Sequence, residues 1–405
     1  MSNFKDTVEN ALNVLKAGGM VILVDDEHRE NEGDLIMAAE FVTPEAINFM
    51  AKYGRGLICL PLTAQKARDL NLSLMTSHNG SPFQTAFTVS IEAASGIDTG
   101  ISAADRAHTI LTATHPHAKA SDLISPGHIF PLIARDKGVL ERRGQTEGSI
   151  DLMKLAGLQP ASVICEIMNE DGTMSRRAEL DDFSKKHRLP LLSIQDIFNY
   201  RVQQQSLVSE EISARIPLAG LSDFKMTVFH NQFDPYEHFV LSKPQKDPKK
   251  PPLVRIHSEC VTGDLLGSLK CDCGPQLHQS LSMINEEGGF LIYLKQEGRG
   301  IGLVNKLKAY VLQESGLDTV DANIKLGLPV DKREYHLAYQ FLKFFGYNTI
   351  RLMTNNPLKI KALEFYGIAV QERVSLEIET NPENKKYIET KIKKLGHYIQ
   401  KGQRE

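Results

Sequence analysis

Residues 255–264 and 270–276 read Arg-Ile-His-Ser-Glu-Cys-Val-Thr-Gly-Asp and Lys-Cys-Asp-Cys-Gly-Pro-Gln. Within fourteen positions this stretch holds three of the five cysteines of the chain, Cys260, Cys271 and Cys273. Thiolates so close in sequence favour a borderline metal ion, and zinc is the commonest. Three protein ligands leave the fourth position open, as in catalytic zinc sites, whereas His257 or Asp272 could complete a structural site. Cys260 could also be a buried core thiol.

The composition is that of a globular protein. The chain has 405 residues, enough for two or three domains, with 41% hydrophobic and 24% charged residues. A formal net charge of −3 without a basic stripe argues against nucleic-acid binding. No apolar run reaches membrane-spanning length, and Met1–Lys16 lacks the apolar core of an export signal. With so few cysteines, we expect a cytoplasmic protein.

Buried strands alternate with amphipathic helices along the chain, which predicts an α/β (α+β) fold. Residues 201–215 are polar and lack the alternation of a strand, so we place a domain boundary there. The expected domains are 1–205 and 206–405, each a mixed sheet flanked by helices. From Lys385 onward the sequence is charged, and we expect a mobile or loosely helical tail.

An acidic loop, Asp25–Asp34, directly follows a buried strand and contains six carboxylates in ten residues. A charge run is usually a solvated surface, but α/β folds also place ligands where a strand ends. Hard cations such as Mg²⁺ take oxygen ligands from loops of this kind. Both a binding site and a solvated loop therefore remain open.

Three further features of the first half point to a site. Arg142–Glu147 precedes a helix, where free backbone N–H groups and the helix dipole favour an anion, although an ordinary helix cap is the alternative. His128 lies in a turn just before a strand. Glu166 lies in a predicted buried strand, and a buried carboxylate usually has a partner or a function.

Polar turns also follow strands in the second half. Gln296–Gly302 is glycine-rich and precedes a helix, as in phosphate-binding turns, but no P-loop motif occurs in the chain. Asp331 is a candidate cap of the next helix, and Arg333 opposes that helix dipole, which hints at an anionic ligand. Thr354–Lys359 is a strand-to-helix turn suited to a base edge or a phosphate.

Together these motifs resemble GTP cyclohydrolase II. The resemblance implies that GTP is the substrate, that water activated by zinc attacks C8 of guanine, and that formate and pyrophosphate leave. The zinc ligands of the family match Cys260, Cys271 and Cys273. Its GTP contacts match Arg255, Glu259, Gln276, Glu297, Arg299, Thr319, Thr354 and Lys359.

Three residues match catalytic positions of the same family. Tyr310 matches a tyrosine close to the ring chemistry, and Asp331 matches the proton acceptor. Arg333 matches the residue assigned as nucleophile on the α-phosphorus. Because arginine is effectively always protonated, we interpret Arg333 instead as stabilising transition-state charge.

Residues 1 to about 205, including the acidic loop, resemble 3,4-dihydroxy-2-butanone 4-phosphate synthase. The two resemblances cover nearly the whole chain, as in bifunctional riboflavin-biosynthesis proteins. The second implies ribulose 5-phosphate as substrate, loss of formate, and a requirement for Mg²⁺ or Mn²⁺. It implies substrate contacts at Arg29, Glu30, Asp34, Arg142 and Thr146, with Glu30 also on the metal, and a need for His128 and Glu166 in turnover.

One position departs from the synthase pattern. The family motif reads Arg-x-Gly-His-Thr, and its histidine is a metal ligand, but position 145 of this chain is Gln. Glutamine offers a neutral amide oxygen, which Mg²⁺ accepts, but it cannot shuttle a proton near neutral pH. We therefore expect the synthase activity to be impaired.

Three hypotheses compete on the sequence alone. The chain is a bifunctional enzyme, or a cyclohydrolase fused to a catalytically weak scaffold, or a zinc-stabilised binding module without chemistry. The missing fourth cysteine and the absence of a basic face weaken the third hypothesis. Both resembled families suggest a homodimer.

Overall fold

The computed structural model describes residues 4–398 and contains two compact units, one ending at Gln204 and the other beginning at Gln205. Each unit contains a seven-stranded sheet with both parallel and antiparallel pairs, and helices flank it. The predicted α/β (α+β) fold with two mixed sheets is confirmed. Among the helices of residues 4–398, none has the length and apolar character needed to cross a membrane.

The N-terminal unit has seven strands, β1 (Val21–Val24), β2 (Gly33–Ala38), β3 (Cys59–Thr63), β4 (Ile91–Ala93), β5 (Leu123–Ala134), β6 (Ser162–Glu166) and β7 (Leu191–Ser193). Its helices are α1 (Phe4–Lys16), α2 (Pro44–Phe49), α3 (Ala64–Asp69), α4 (Ala103–Thr114), α5 (Gln145–Ala156), α6 (Arg177–His187) and α7 (Ile194–Gln204). The strand order is β4-β5-β3-β6-β2-β1-β7. Within it, β3 runs parallel to β5 and β1 parallel to β7.

The acidic loop is the connection of a β-hairpin. Strands β1 and β2 pair antiparallel, with Val24 opposite Gly33, so the loop closes the end of this hairpin. All six residues of β2 are buried, which fixes its register between β1 and β6. That register sets Asp34 opposite Glu166. Two carboxylates far apart in sequence therefore meet at the same end of the sheet.

The C-terminal unit has seven strands, β8 (Val208–Ile216), β9 (Phe224–Asn231), β10 (His238–Lys243), β11 (Leu253–Ser258), β12 (Gly289–Leu294), β13 (Thr349–Met353) and β14 (Ala369–Val374). Its helices are α8 (Cys273–Glu287), α9 (Leu303–Glu314), α10 (Thr319–Lys325), α11 (His336–Phe344), α12 (Pro357–Tyr366) and α13 (Lys385–Lys393). The strand order is β14-β13-β11-β12-β10-β9-β8. Parallel pairing joins β12, β11, β13 and β14, so the polar turns that follow the first three of these strands share one edge of the sheet.

Residues 201–215, which lack the alternation of a strand in sequence, nevertheless contain the end of a helix and most of a strand. Helix α7 continues to Gln204, and β8 pairs along β9 from Val208 to Ile216. This strand lies at the edge of the sheet, and most of its side chains are exposed. An edge strand with little burial needs no apolar alternation, so its sequence carries no strand signal.

The charged tail is helical from Lys385 to Lys393, in line with the expected helix, but this helix is packed and not loose. Residues 385–393 form α13, which buries Ile388 and Lys391. The Lys391 Nζ lies 2.5 Å from an oxygen of Asp272, so this charge is buried with a partner. Such pairing cannot be read from the lysine-rich sequence, because the partner lies 119 positions away.

We expect Phe341→Ala to lower the free energy of unfolding of the C-terminal unit by about 3–5 kcal/mol, because it leaves a cavity in a packed core. Phe341 is fully buried, and its ring centroid lies 4.6 Å from that of Phe229. Urea unfolding followed by circular dichroism measures the change. Phe344→Ala is the matched control, because Phe344 also contacts Phe229 but is 43% exposed. Equal losses in the two variants would contradict the burial argument.

Candidate active sites

The three cysteines of the predicted metal site converge. The Sγ atoms of Cys260, Cys271 and Cys273 all lie within 4.8 Å of one another, and those of Cys260 and Cys271 are 3.7 Å apart. Tetrahedral zinc with Zn–S bonds of about 2.3 Å requires sulfur atoms about 3.8 Å apart. Cys260 follows β11, and Cys273 begins α8. The donor set and its spacing fit zinc.

Two glycines allow the cysteine loop to close. A Cβ on Gly263 would lie 2.8 Å from the Cys271 sulfur, and one on Gly274 would lie 2.4 Å from the carbonyl oxygen of Gly263. Neither distance is compatible with a side chain. These glycines are therefore needed for close approach of the backbone around the sulfurs.

No fourth ligand joins the cysteines in residues 4–398. His257 directs its Nε2 to both oxygens of Asp264 at 3.0 Å. Asp264 also accepts hydrogen bonds from the Cys260 backbone N–H at 3.0 Å and from the Tyr293 hydroxyl at 2.9 Å. Asp272 is occupied by Lys391. Both alternatives for a fourth ligand thus have other partners, and the cluster has the three-ligand form of a catalytic site.

Lys306 contacts the metal site, which sequence reasoning missed. Its Nζ lies 3.1 Å from the Cys260 sulfur, 2.9 Å from Thr262 Oγ1 and 2.8 Å from a Glu297 oxygen. Hydrogen bonds from the other two thiols lower the pKa of Cys260, and the charge of Lys306 lowers it further. The sequence did contain a signal for Lys306. It precedes the predicted site residue Tyr310 by four positions and therefore lies on the same face of α9.

One cavity joins the cysteine cluster to the predicted GTP contacts. Its walls come from the turns after β11, β12 and β13 and from α9 and α10. The cavity is lined by the three cysteines, two of the predicted catalytic residues and all eight predicted GTP contacts. These are Cys260, Cys271, Cys273, Tyr310, Arg333, Arg255, Glu259, Gln276, Glu297, Arg299, Thr319, Thr354 and Lys359. Asp331 is not among the lining residues but contacts Arg333.

Cations of the cavity are incompletely paired. Burial lowers the pKa of Arg255 to about 10, and its guanidinium donates to Gln276 and to the Met353 carbonyl. Burial, together with nearby Arg255, lowers the pKa of Lys359 well below its ordinary value. Both terminal nitrogens of Arg299 are buried without a hydrogen-bond partner in the described chain. A buried charge without compensation favours an anionic ligand.

The Asp331 carboxylate does not cap a helix as expected. Helix α11 begins at His336, and Asp331 instead accepts hydrogen bonds from the Arg333 backbone and side chain, the closest at 2.5 Å. Burial alone would raise the pKa of Asp331, but the hydrogen bonds and charge of Arg333 lower it. The pair is therefore ionised, with Arg333 facing the cavity.

The second candidate site surrounds the acidic hairpin loop. Burial raises the pKa of Asp34 well above its ordinary value, and repulsion from Glu166 raises it further. Burial also raises the pKa of Glu166, whose oxygen accepts a 2.8 Å hydrogen bond from the Leu57 backbone. Carboxylates that repel one another in a buried place favour a bound cation. The loop is therefore more than a solvated surface.

A guanidinium nitrogen lies at the meeting point of the predicted metal ligands. Arg29 Nη1 lies 2.8 Å from Asp25, 2.9 Å from Glu30 and 3.0 Å from the side-chain oxygen of Gln145. Oxygens from Glu30 and position 145 thus converge on one cation, which fits a divalent ion in the same place. The other amide atom of Gln145, Nε2, is buried without a hydrogen-bond partner in the described chain.

The remaining predicted synthase residues lie in two places, Arg142 and Thr146 near the start of α5 and His128 beside Glu92. Thr146 lies in the first turn of α5, and Arg142, just before it, donates to Glu147, to Thr85 Oγ1 and to the Phe83 carbonyl. His128 lies within β5 and not in a turn before a strand as expected. It contacts Glu92, and its side chain is 43% exposed. This contact lies outside the acidic loop.

Comparison with known proteins identifies one enzyme family in each unit. The family model of 3,4-dihydroxy-2-butanone 4-phosphate synthase matches residues 9–200, and that of GTP cyclohydrolase II matches residues 209–375. Riboflavin biosynthesis protein RibBA of Bacillus mycoides is 51% identical over 97% of this chain and 98% of its own length. The protein of that name from Aquifex aeolicus is 54% identical over 97% of both.

A solved structure is similar over most of the chain. It is the crystal structure of RibBX, described as a two domain 3,4-dihydroxy-2-butanone 4-phosphate synthase from A. baumannii, with 36% identity and a TM-score of 0.69. The alignment covers 92% of this chain and 99% of that one. From these relationships the chain belongs to the RibBA family of riboflavin-biosynthesis enzymes, and it carries a 3,4-dihydroxy-2-butanone 4-phosphate synthase domain followed by a GTP cyclohydrolase II domain.

Proposed function

We propose that the C-terminal unit binds zinc through Cys260, Cys271 and Cys273 and converts GTP to formate, pyrophosphate and a diaminopyrimidinone ribosylamine 5′-phosphate. The observation that carries the proposal is the position of three converging sulfurs in the same cavity as incompletely paired cations. Bound zinc would lower the pKa of water and polarise the ring carbon. The cations suit the triphosphate of the same substrate.

Residues around the cysteines would adjust their basicity and hold the purine. Three thiolates place a net negative charge around a divalent ion, and Lys306 lies 3.1 Å from one of the sulfurs to offset part of it. Burial raises the pKa of Tyr310 to about 12, so its phenol stays protonated and can donate a hydrogen bond. Tyr310 is therefore a donor to the opening ring in this proposal.

Arg333 and Asp331 would act at the phosphate end of the substrate. Their ionised pair keeps the guanidinium protonated, which argues against Arg333 as a nucleophile. Its charge can stabilise negative charge that develops as pyrophosphate leaves. Asp331 orients that guanidinium with two hydrogen bonds to the side chain, and it can accept a proton once the pair opens.

We expect Cys271→Ser to lose zinc and formate release from GTP together, because a hydroxyl is a far poorer zinc ligand than a thiolate. Metal analysis of the purified variant and a formate assay measure the two losses. Cys59→Ala, which removes a buried thiol from the N-terminal unit, is the control and should keep both properties. Full GTP turnover by a zinc-free preparation would refute the proposed role of the metal.

For Arg333→Ala we expect GTP turnover to fall by about 100–1000-fold while zinc content stays unchanged, because the variant removes charge stabilisation and no metal ligand. Steady-state kinetics and metal analysis provide the comparison. The matched control is Lys332→Ala, which removes the neighbouring cation from an exposed position. If Arg333→Ala instead lost its zinc, the arginine would have a structural role.

We further propose that the N-terminal unit binds Mg²⁺ or Mn²⁺ through Glu30 and acts on ribulose 5-phosphate to give 3,4-dihydroxy-2-butanone 4-phosphate and formate. The metal would polarise the carbonyl and hydroxyl groups of the sugar. Arg29, Asp34 and Glu166 lie around this place and would contact the sugar or move its protons. Arg142 and Thr146 lie at the start of α5, where a sugar phosphate would meet free backbone N–H groups.

Gln145 would impair this half, and its contacts give the physical reason. The oxygen of its amide already accepts a hydrogen bond from Arg29 at 3.0 Å. To coordinate a metal, that oxygen must give up the Arg29 contact, and the cation must displace a guanidinium held by two carboxylates. A cyclohydrolase with a catalytically weak N-terminal scaffold is therefore the second candidate function.

Restoring the family histidine tests this impairment. We expect Gln145→His to raise formation of the butanone phosphate by about 100-fold, judged from the 10–100-fold losses that accompany poorer metal sites. Mn²⁺ affinity, measured by electron paramagnetic resonance, should rise in the same variant, while Gln145→Ala should gain neither property. A parental rate equal to that of the histidine variant would show that glutamine serves as well.

We also propose that the chain works as a homodimer in the cytoplasm, as the two resembled families suggest. The exposed position of His128, which contacts Glu92, is compatible with a site that a second copy covers. A monomer in sedimentation equilibrium of the zinc-loaded protein would contradict the dimer.

A further inference from the structure

The C-terminal segment 385–398 lies against the cavity of the cyclohydrolase unit. This segment follows residue 375, where the match to the GTP cyclohydrolase II family model ends. Three of its side chains, Tyr387, Lys391 and His397, line the cavity together with the predicted GTP contacts. The segment is therefore part of the wall of the proposed site and not an appendage.

Three anchors hold the segment in place. Lys391 Nζ lies 2.5 Å from Asp272, the residue between two of the zinc-binding cysteines, and both groups are buried. Lys394 Nζ lies 2.5 Å from Asp318 and 3.0 Å from Asp321 at the start of α10. The backbone N–H of Tyr398 donates to the Asn355 carbonyl at 2.8 Å. The anchors thus connect the cysteine loop, α10 and the turn after β13.

His397 lies between these anchors, in a strongly positive environment. Burial lowers the pKa of His397 to about 3, and the neighbouring cations Lys391, Arg333, Lys359 and Arg299 lower it further. Of these cations, Lys391 and Arg333 each have a carboxylate partner, whereas Arg299 has two buried nitrogens without a hydrogen-bond partner in the described chain. A polyanion is the ligand that this arrangement suits.

We propose that segment 385–398 closes the cavity over the nucleotide and that His397 is a further substrate-binding residue, which donates a hydrogen bond to the triphosphate. The proposal deepens the proposed GTP cyclohydrolase function and rests on it. Arg299 and Arg333 supply permanent charge around the phosphates, and the imidazole supplies a directed N–H. Lys391, fixed by Asp272, positions the segment.

Binding measurements test this proposal separately from turnover. We expect His397→Ala in the full zinc-loaded chain to weaken binding of a nonhydrolysable GTP analogue by about tenfold, the effect of one charge-assisted hydrogen bond. Binding of guanosine, which has no phosphate, should not change. His397→Gln keeps an N–H donor and should recover part of the affinity. Lys393→Ala is the matched control on α13, because Lys393 points outward with a 69% exposed side chain.

Two results would overturn the proposal. Equal affinity of His397→Ala and the parent for the GTP analogue would mean that the histidine makes no phosphate contact. Equal weakening of the GTP analogue and guanosine would mean that the residue only packs against the cavity. Formate release from GTP by the parental chain tests the cyclohydrolase function itself, so a failure there is distinguishable from both results.

Discussion

Incomplete compensation of buried charge is the constraint around which both units are built. In the C-terminal cavity, Arg255, Lys359 and Arg299 are buried beside neutral partners or none, so the cavity is short of negative charge. In the N-terminal unit, Asp34 and Glu166 face each other in a buried place that is short of positive charge. Burying charge without a partner is costly, so each arrangement favours a ligand of opposite sign. In the proposed function, the triphosphate of GTP supplies negative charge to the first arrangement, and a divalent metal ion supplies positive charge to the second.

Lys306 joins the proposed metal site and the proposed nucleotide site of the cavity. Its ammonium group contacts a cysteine sulfur and Glu297 at once, and Glu297 also accepts hydrogen bonds from the backbone of Val261 and Gly298. Both Glu297 oxygens are therefore occupied by the protein. Glu297 holds the cysteine loop and the glycine turn together, and we propose that its role in GTP binding is to position them.

Local patterns predict the fold class and the cysteine cluster, whereas contacts between distant segments cannot be predicted from the sequence. Three cysteines within fourteen positions point to a metal, and alternating strands and helices point to the α/β class. Strand β8 carries no signal because an edge strand needs little burial. The packing of α13 could not be predicted because the partner of Lys391, Asp272, lies far away in the sequence. The prediction that Asp331 caps a helix is wrong. It rested on the preference of Asp for helix N-caps, but α11 begins at His336 and the Asp331 carboxylate pairs with Arg333. In each of these cases, side-chain contacts or exposure outweighed a local propensity.

Gln145 is the position where sequence and structure together say more than either alone. The sequence shows an amide in place of an imidazole, and the structure shows that its oxygen, with Glu30 and Asp25, holds one nitrogen of Arg29. In this arrangement Arg29 satisfies the negative charge that a divalent ion would otherwise satisfy. In the proposed function, a metal ion must replace Arg29 at this place, and the loss of the Arg29 contacts makes metal binding weaker. The Nε2 atom of Gln145 is buried without a hydrogen-bond partner in the described residues, which supports the proposed impairment of this half.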